Sequence, residues 1–143
     1  MSLTASKSIT INAKPAKIWD AITDPKLVKQ WMFGAEVVSD WQKGNALVYK
    51  GNWNGTPFED YATIVDIEPE KLLKATYSKN NNTVTYELEL LGEDQTKMTI
   101  SQDNNPTQEE ADKAAENWSM TLEAIKQLLE AWSSTPLTIM MHL

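Results

Sequence analysis

The sequence contains no cysteine, no arginine and a single histidine, His142, which is the second residue from the C-terminus. Without cysteine the chain has no disulfides, thiolate nucleophiles, iron–sulfur clusters or zinc-thiolate sites. One histidine in a tail excludes a Ser-His triad and a metal site built from several histidines. These absences predict a protein without a metal or other cofactor. They also restrict acid–base chemistry to carboxylates, lysine and tyrosine.

The charge balance excludes a further class of partner. The 143 residues carry 13 Lys against 20 Asp and Glu, which gives a formal net charge of −7. An acidic chain without arginine repels phosphate backbones, so we expect no nucleic-acid binding. The sequence has no apolar run of about 18 residues and no apolar signal-peptide core. We therefore expect a cytoplasmic protein with no membrane span.

What the chain does contain is 41% hydrophobic residues, six of them Trp, in a length typical of one globular domain. We predict a single domain over 1–143, with a core over about 6–131 and an apolar tail over 133–143. The tail follows Pro136 and has three interpretations: it packs across a sheet edge, it forms a dimer contact, or it is loose. The chain is accordingly expected to be a monomer or a homodimer.

Local signals predict one strand, two short helices and one long helix. Ser8–Ile11 alternates as a strand, and Pro15 and Pro25 each suit the first turn of a short helix. The range Thr107–Ala131 opens with a capping-box pattern and continues with apolar residues on one stripe. This range therefore predicts a long amphipathic helix near the C-terminus.

Between the short helices and the long one, six strand-like segments are separated by turn residues. The best of them alternates apolar residues with threonine and glutamate, so one face of the sheet is wet and the other covered. Asp66 interrupts the alternation of its strand, which predicts a bulge or an inward carboxylate. The predicted strands are Glu36–Ser39, Asn45–Trp53, Phe58–Ile67, Leu72–Ser78, Thr83–Leu91 and Thr96–Gln102.

This order of elements predicts an α+β fold, β-α-α-β6-α, in which a curved antiparallel sheet of about six to seven strands wraps around the long C-terminal helix. Small helix residues leave a gap against such a sheet, so we expect a cavity near Ala111, Ala114 and Ala115 or beside Trp118. Aromatic walls with polar handles suit an amphipathic ligand, although the same residues also suit a core. The residues expected to line the cavity are Trp31, Phe33, Tyr49, Trp53, Tyr61, Tyr77, Tyr86, Met98, Trp118 and Leu122.

Three blocks of sequence, over 9–31, 67–72 and 117–130, resemble a known family. They begin Ile-Thr-Ile-Asn-Ala-Lys-Pro, Ile-Glu-Pro-Glu-Lys-Leu and Asn-Trp-Ser-Met-Thr-Leu. Together they resemble the SRPBCC (START-like, helix-grip) superfamily. Within it they are similar to the bacterial branch related to the C-terminal domain of the activator of the ninety-kilodalton heat-shock chaperone's ATPase. The resemblance covers about residues 6–131 and implies a helix-grip fold with a hydrophobic cavity.

Members of that superfamily bind lipids, hormones or polyketides, cyclise aromatic precursors, or dock a chaperone, so the resemblance leaves the function open. We expect binding of a hydrophobic or amphipathic small molecule. The first alternative is a co-chaperone-like interaction module, which Trp41, Trp53 and the apolar tail would serve. The second is a cyclase or hydratase acting on a bound aromatic or polyketide-like substrate. No catalytic residue is predicted, because the carboxylate pairs Glu59-Asp60 and Glu87/Glu89 are typical of solvated surface.

Overall fold

The computed structural model describes the backbone of residues 3–142 and the side chains of residues 3–52 and 54–131. Over these residues the chain has seven strands and three helices, in the predicted order. The elements are β1 (Leu3–Ile11), α1 (Pro15–Thr23), α2 (Pro25–Trp31), β2 (Glu36–Ser39), β3 (Ala46–Trp53), β4 (Thr56–Glu68), β5 (Leu72–Tyr77), β6 (Asn82–Gly92), β7 (Gln95–Asn105) and α3 (Gln108–His142).

The seven described strands form one antiparallel sheet in the order β1-β7-β6-β5-β4-β3-β2. The first strand pairs with the last, so β1 and β2 are the two edges. On β6, Val84, Tyr86 and Leu88 are buried, while Glu87 and Glu89 between them are exposed. We call the buried side the inner face and the other side the outer face. The wet and covered faces predicted from alternation are confirmed.

The two short helices are joined by a turn at Asp24. Its carboxylate accepts the backbone N–H of Lys26 at 3.0 Å, which caps α2 while Pro25 fills the first helical position. The indole Nε1 of Trp31 donates to the carbonyl of Ala21 at 2.7 Å. This buried hydrogen bond ties α2 to α1, so the pair packs as one unit.

The long helix α3 starts as predicted but extends further. The hydroxyl of Thr107 accepts the N–H of Glu110 at 3.1 Å, as in a capping box. The sequence predicts an end near Ala131, whereas the helix continues through Pro136 to His142. Pro136 removes only one backbone N–H donor from the helix, and the helix contains no glycine before Pro136 that would favour an earlier end. The expected packing of the tail depends on side chains outside the described residues.

The core lies between the inner face and the helices. α3 packs against β1, β7 and both short helices. Burial of each large aliphatic side chain contributes about 1.5–3 kcal/mol, so this layer is the main source of stability. The largest fully buried side chains include Ile11, Ile18, Ile22, Leu47, Ile64, Leu73, Met98, Ile100, Leu122 and Ile125. The predicted α+β helix-grip architecture is confirmed.

A bulge in β4 resolves the irregular alternation there. The pairing with β5 shifts between Ile64 and Asp66, so Asp66 lies opposite the exposed Lys74. Ile67 then lies opposite Leu73 and packs against the core. The Asp66 carboxylate accepts the N–H of Ile67 at 3.0 Å. Of the two alternatives, the bulge is confirmed and the inward carboxylate is wrong.

Within the described part of the chain, no helix has both the length and the apolar character that a membrane crossing requires.

Candidate functional site

Three tyrosines from three strands meet on the inner face of the sheet: Tyr49 on β3, Tyr77 on β5 and Tyr86 on β6. Tyr49 is 2% exposed, Tyr86 is buried and Tyr77 is half-buried. The rings of Tyr49 and Tyr77 stack, with centroids 6.4 Å apart and planes 14° apart. Tyr86 packs on the other side against Trp118, with ring centroids 6.1 Å apart. We call the three tyrosines the tyrosine cluster.

Strand alternation places Tyr49 on the inner face beside a half-buried carboxylate. Leu47 and Tyr49 are both buried, and Asp60 of β4 lies directly opposite Tyr49 in the pairing. Two residues further along β3, Gly51 lies opposite Phe58. A Cβ on this glycine would lie 2.8 Å from the Phe58 ring, so the ring occupies the space of the missing side chain. Phe58 therefore fills the space beside Gly51 on the face of β3 that carries Tyr49.

Burial keeps the cluster neutral. It raises the pKa of Tyr49 to about 12, although the neighbouring Tyr77 and Tyr86 hydroxyls partly offset the effect. Burial also raises the pKa of Tyr77 well above its usual value, and the charges of Tyr49, Tyr86 and Asp60 add to the rise. The pKa of Tyr86 rises for the same first reason, with Tyr49 adding to it. At neutral pH the cluster therefore presents hydroxyls and no phenolate.

A hydrogen-bonded chain fixes Trp118 of α3 beside the cluster. Its ring stands edge-on to Tyr86, with centroids 6.1 Å apart and planes 86° apart. Its Nε1 donates to Oε1 of Gln102 at 2.9 Å, and Nε2 of Gln102 donates to Oδ1 of Asn105 at 3.0 Å. Asn105 in turn donates to the carbonyl of Leu3 at 2.9 Å. The indole is thus connected through β7 to β1.

Sequence reasoning missed two members of this site, Gln102 and Asp60. Gln102 shares strand parity with the buried Met98 and Ile100, so a polar residue at an inward position was the available signal. Asp60 shares parity with Ala62 and is half-buried. Polar residues at inward positions point to a polar network inside the core.

The structure brings together most of the predicted lining residues but separates two of them. Phe33 is 76% exposed just beyond α2, with a φ of 54°. Tyr61 is 51% exposed because its neighbour Ala62 faces the core. The side chain of Trp53 lies outside the described residues. Those packed within the core are Trp31, Tyr49, Tyr77, Tyr86, Met98, Trp118 and Leu122.

Two surface hollows lie away from the tyrosine cluster. One, of about 400 Å³, is on the outer face of β5 to β7, between side chains such as Glu87 and Lys97. The other, of about 360 Å³, lies between β1 and α3 and includes Lys7 and Ala115. The second borders the alanine-rich start of α3, but its lining residues other than Ala115 are exposed. The interior cavity stays a prediction.

The acidic pairs do not form a paired-carboxylate site. Glu59 and Asp60 are neighbours within β4 and point to opposite faces, where Glu59 accepts a hydrogen bond from the exposed Tyr61 hydroxyl. Glu87 and Glu89 are exposed on the outer face. Among the described residues, no group of three histidine, cysteine or acidic side chains is placed to hold a metal ion. What the site offers is aromatic surface with neutral hydroxyls.

Comparison with solved structures shows the same fold in other proteins. A protein from Cytophaga hutchinsonii is 34% identical over 92% of this chain and 97% of its own, with a TM-score of 0.79. An Aha1 dimer from Colwellia psychrerythraea is 22% identical, covers 90% of this chain and 96% of its own, and has a TM-score of 0.73. A Nitrosomonas europaea protein is 18% identical over 92% and 97% of the two chains, with a TM-score of 0.77.

Comparison of the sequence itself gives the family. No curated protein matches the chain. The profile described as Activator of Hsp90 ATPase homolog 1-like protein matches residues 12–130, which include β3 to β7, the two short helices and Trp118. The resemblance to the SRPBCC superfamily is therefore confirmed, and the chain belongs to the Activator of Hsp90 ATPase homolog 1-like family.

Proposed function

We propose that this protein binds a hydrophobic or amphipathic small molecule between the sheet and α3, at the tyrosine cluster. The observation that supports the proposal is the placement of three tyrosines on the inner face of the sheet, within the core. Phenylalanine would fill nearly the same space without removing hydroxyls from water, a transfer that costs about 1–3 kcal/mol when it is poorly compensated. Aromatic walls with a few polar groups are typical of small-molecule sites.

The ligand reaches the cluster from the Tyr77 side. Tyr77 is the half-buried member of the cluster, and it ends β5 opposite Asn82 at the start of the next strand. Tyr49 and Tyr86 lie deeper. Because these rings contact one another and Trp118, binding requires side chains to move apart, and the indole of Trp118 reports that movement.

No metal or cofactor is needed for this role, and the cyclase or hydratase alternative gains no support from the tyrosines. Burial raises the pKa of Tyr49 to about 12, so its phenol is a poor base near neutral pH. We propose binding without chemical transformation.

Native mass spectrometry of the protein purified from its own cells tests the proposal. We expect a co-purifying small molecule that is lost on denaturation. A two-dimensional NMR spectrum then reports the site, because readdition of the extracted molecule should shift the Trp118 indole N–H signal, whose proton bonds to Gln102. Trp41, which lies elsewhere in the core, serves as the internal control. Protein that is always bare, with an unmoved Trp118 signal in lipid extract, would contradict the proposal.

A second candidate function is docking to a chaperone or to another copy of the chain. An apolar row on the outer face favours it, since Val38, Val48 and Tyr61 lie side by side across β2, β3 and β4. Val38 and Tyr61 are both about half exposed. The family description names a chaperone ATPase activator, and the Colwellia psychrerythraea protein is described as a dimer. Either partner, like the small molecule, would be met in the cytoplasm.

Substitution of Val38 by Lys tests this candidate. Under docking, Val38→Lys abolishes pull-down of the ninety-kilodalton chaperone or lowers the dimer mass seen by analytical ultracentrifugation. The matched control is Thr63→Lys, at an exposed position of β4. Docking would be excluded if the wild type and Val38→Lys are both monomeric and neither captures the chaperone.

A further inference from the structure

Phe33 occupies a backbone position that normally favours glycine. The N–H of Gly34 donates to the carbonyl of Lys29 at 2.9 Å, which is the six-residue hydrogen bond of a Schellman motif at the end of α2. In this motif the residue before the donor is left-handed, and here that residue is Phe33, with a φ of 54°. Glycine has no Cβ and adopts this conformation without the steric cost that phenylalanine bears.

The ring of Phe33 is also placed where it contributes little to the core. At 76% exposure it is the most exposed of the large apolar side chains among the described residues. A left-handed backbone and an exposed ring both oppose stability, so folding does not explain a phenylalanine here. A strained residue of this kind points to a function.

The side chains that flank Phe33 are basic. Lys26 and Lys29 are exposed one helical turn apart on α2, on the side away from the buried Val28 and Trp31. Residues 25–35 contain no acidic side chain. We call these residues the cap segment.

The acidic residues on either side of the cap segment have other contacts. The carboxylate of Asp24 accepts the N–H of Lys26 at 3.0 Å, and Glu36 lies opposite Lys50 in the pairing of β2 with β3. The segment therefore joins an exposed aromatic ring to a local positive charge.

We propose that the cap segment docks the protein reversibly on an anionic lipid surface. The Phe33 ring enters the interface, while Lys26 and Lys29 face the headgroups. This role does not depend on a ligand at the tyrosine cluster, and it adds a second partner to the proposed function.

The size of the apolar group favours a lipid surface over a protein partner. A specific protein interface buries about 800 Å² on each side and has an apolar centre, whereas the cap segment exposes one large apolar ring. A lipid interface accepts single aromatic side chains beside basic ones. One ring and two lysines give an association constant of about 10³–10⁴ M⁻¹, close to that of a single myristoyl chain, so the docking is reversible.

The distribution of charge favours an anionic surface although the whole chain is acidic. Residues 1–50 carry 7 Lys against 4 Asp and Glu, and residues 51–143 carry 6 Lys against 16. Salt screens exposed charges beyond about 10 Å, so the local charge of the cap segment decides the interaction. A basic segment is complementary to the negative potential of an anionic leaflet.

Sedimentation of the full chain with lipid vesicles tests the proposal. One set of vesicles is pure phosphatidylcholine, and the other contains about 30% phosphatidylserine to supply negative charge. We expect the wild type to bind the anionic vesicles about tenfold more tightly than the neutral ones, and less tightly as salt is added. Lys26→Gln and Lys29→Gln should each weaken this binding about fivefold.

Phe33→Gly separates docking from folding. It should weaken binding to anionic vesicles about tenfold or more, because the ring is lost. The urea midpoint should stay the same or rise, since glycine suits the left-handed position. Met120→Ala is the matched control and should bind as the wild type does, because Met120 is 61% exposed on α3 between the acidic Glu116 and Glu123. Every variant keeps residues 132–143, so the differences between variants report the substituted side chains alone.

Four outcomes would overturn the proposal. The first is equal binding to the two kinds of vesicle, and the second is binding by Phe33→Gly within about twofold of the wild type. The third is a wild type that sediments with neither vesicle; a dimer that Phe33→Gly abolishes would then assign the ring to a protein contact. The fourth is a clear fall in the urea midpoint of Phe33→Gly, which would show that the fold itself requires the ring.

Discussion

The interface between the sheet and α3 has two ends that are built from different chemistry. At one end, Trp118 contacts the tyrosine cluster and is hydrogen-bonded to Gln102. At the other end, Leu122 and Ile125 of the same helix are fully buried in an aliphatic core. We call these the aromatic end and the aliphatic end.

The difference separates what stabilises the fold from what is available for function. Aliphatic burial contributes free energy with no polar group to satisfy, about 25 cal/mol for each Å² removed from water. Buried hydroxyls and amides give little net stability even when paired, and they are costly when a partner is lost. An interface selected for stability alone would be aliphatic throughout, so the aromatic end marks a second demand on the sequence.

The largest effect is expected at the aliphatic end. Ile125→Ala removes three carbon atoms from a fully buried position and should lower the free energy of unfolding by about 2–5 kcal/mol. Urea unfolding followed by circular dichroism measures it. Met120→Ala is the control, since Met120 lies on the same helix and is largely exposed, and we expect a change within about 0.5 kcal/mol. Equal losses in the two variants would mean that this end is not the stabilising one.

At the aromatic end, alkaline pH should destabilise the fold. The folded pKa of Tyr49 is about 12 against an unfolded value of 10.0, so its contribution is intact below pH 10 and is lost as the pH rises toward 12. A shift of that size corresponds to about 2–3 kcal/mol. Between pH 9 and 12 the free energy of unfolding of the wild type should therefore fall by about this amount relative to that of Tyr49→Phe, which has no hydroxyl to titrate at this position.

Tyr61→Phe is the control for that experiment. Tyr61 lies exposed on the outer face, where its pKa is raised first by its hydrogen bond to Glu59, then by the charge of Glu59, and least by burial. Removal of its hydroxyl should leave most of the wild-type pH dependence in place. If the free energy of unfolding of Tyr49→Phe instead varies with pH in parallel with that of the wild type, burial does not raise the pKa of Tyr49.

Sequence alone predicts the fold well because alternation and caps are local signals. The regular pattern of β6 and the cap at Thr107 appear in the structure where they were expected. The site is harder to predict, since two tyrosines of identical chemistry, Tyr49 and Tyr61, lie on opposite faces. Only strand parity distinguishes them, and the bulge before Asp66 obscures the parity of β4.

The contacts between distant elements lie beyond what local patterns can give. Gln102 bonds Trp118 from 16 residues away, and Asp60 is brought to Tyr49 by the pairing of β3 with β4. Phe33 is exposed just after α2, where its backbone is left-handed. The neighbouring Gly34 does not by itself predict that conformation for Phe33. Each of these features depends on the packing of one element against another, and the sequence pattern of a single element does not predict that packing.

A smaller effect is expected when the network at the aromatic end is broken. Gln102→Leu removes the acceptor of the Trp118 indole and the donor to Asn105, and we expect a loss of about 1–3 kcal/mol. Gln95→Leu is a matched control on the same strand, because Gln95 bonds Asn12 at an exposed position. Urea midpoints and the Trp118 indole N–H chemical shift are the measurements. An unmoved indole signal in Gln102→Leu would show that the network does not position Trp118.

The smallest effect is expected for the charged contact between Glu130 and Lys126 at the aliphatic end. Oε2 of Glu130 accepts the backbone N–H of Asn12 at 2.9 Å and Nζ of Lys126 at 2.6 Å, and the same lysine donates to the carbonyl of Thr10 at 3.1 Å. The hydrogen bond from Lys126, and then that from Asn12, lowers the pKa of Glu130 below 4.5. Its contribution is therefore present above pH 4.5 and is lost as the pH falls through the lowered folded value.

Glu130→Gln should lower the free energy of unfolding by about 1 kcal/mol or less at neutral pH, because the site is partly solvated and the amide keeps an acceptor oxygen. The difference from the wild type should vanish in acid, where the native carboxyl is also neutral, and urea midpoints at pH 7 and in acid measure it. Glu123→Gln, at an exposed position of the same helix, is the control, and we expect it to change the free energy of unfolding at pH 7 by no more than about 0.5 kcal/mol. If the difference in free energy of unfolding between Glu130→Gln and the wild type persists in acid, the contribution of this contact comes from its shape and not from its charge. The aliphatic end would then owe its stability to packing alone, which is the sharpest form of its contrast with the aromatic end.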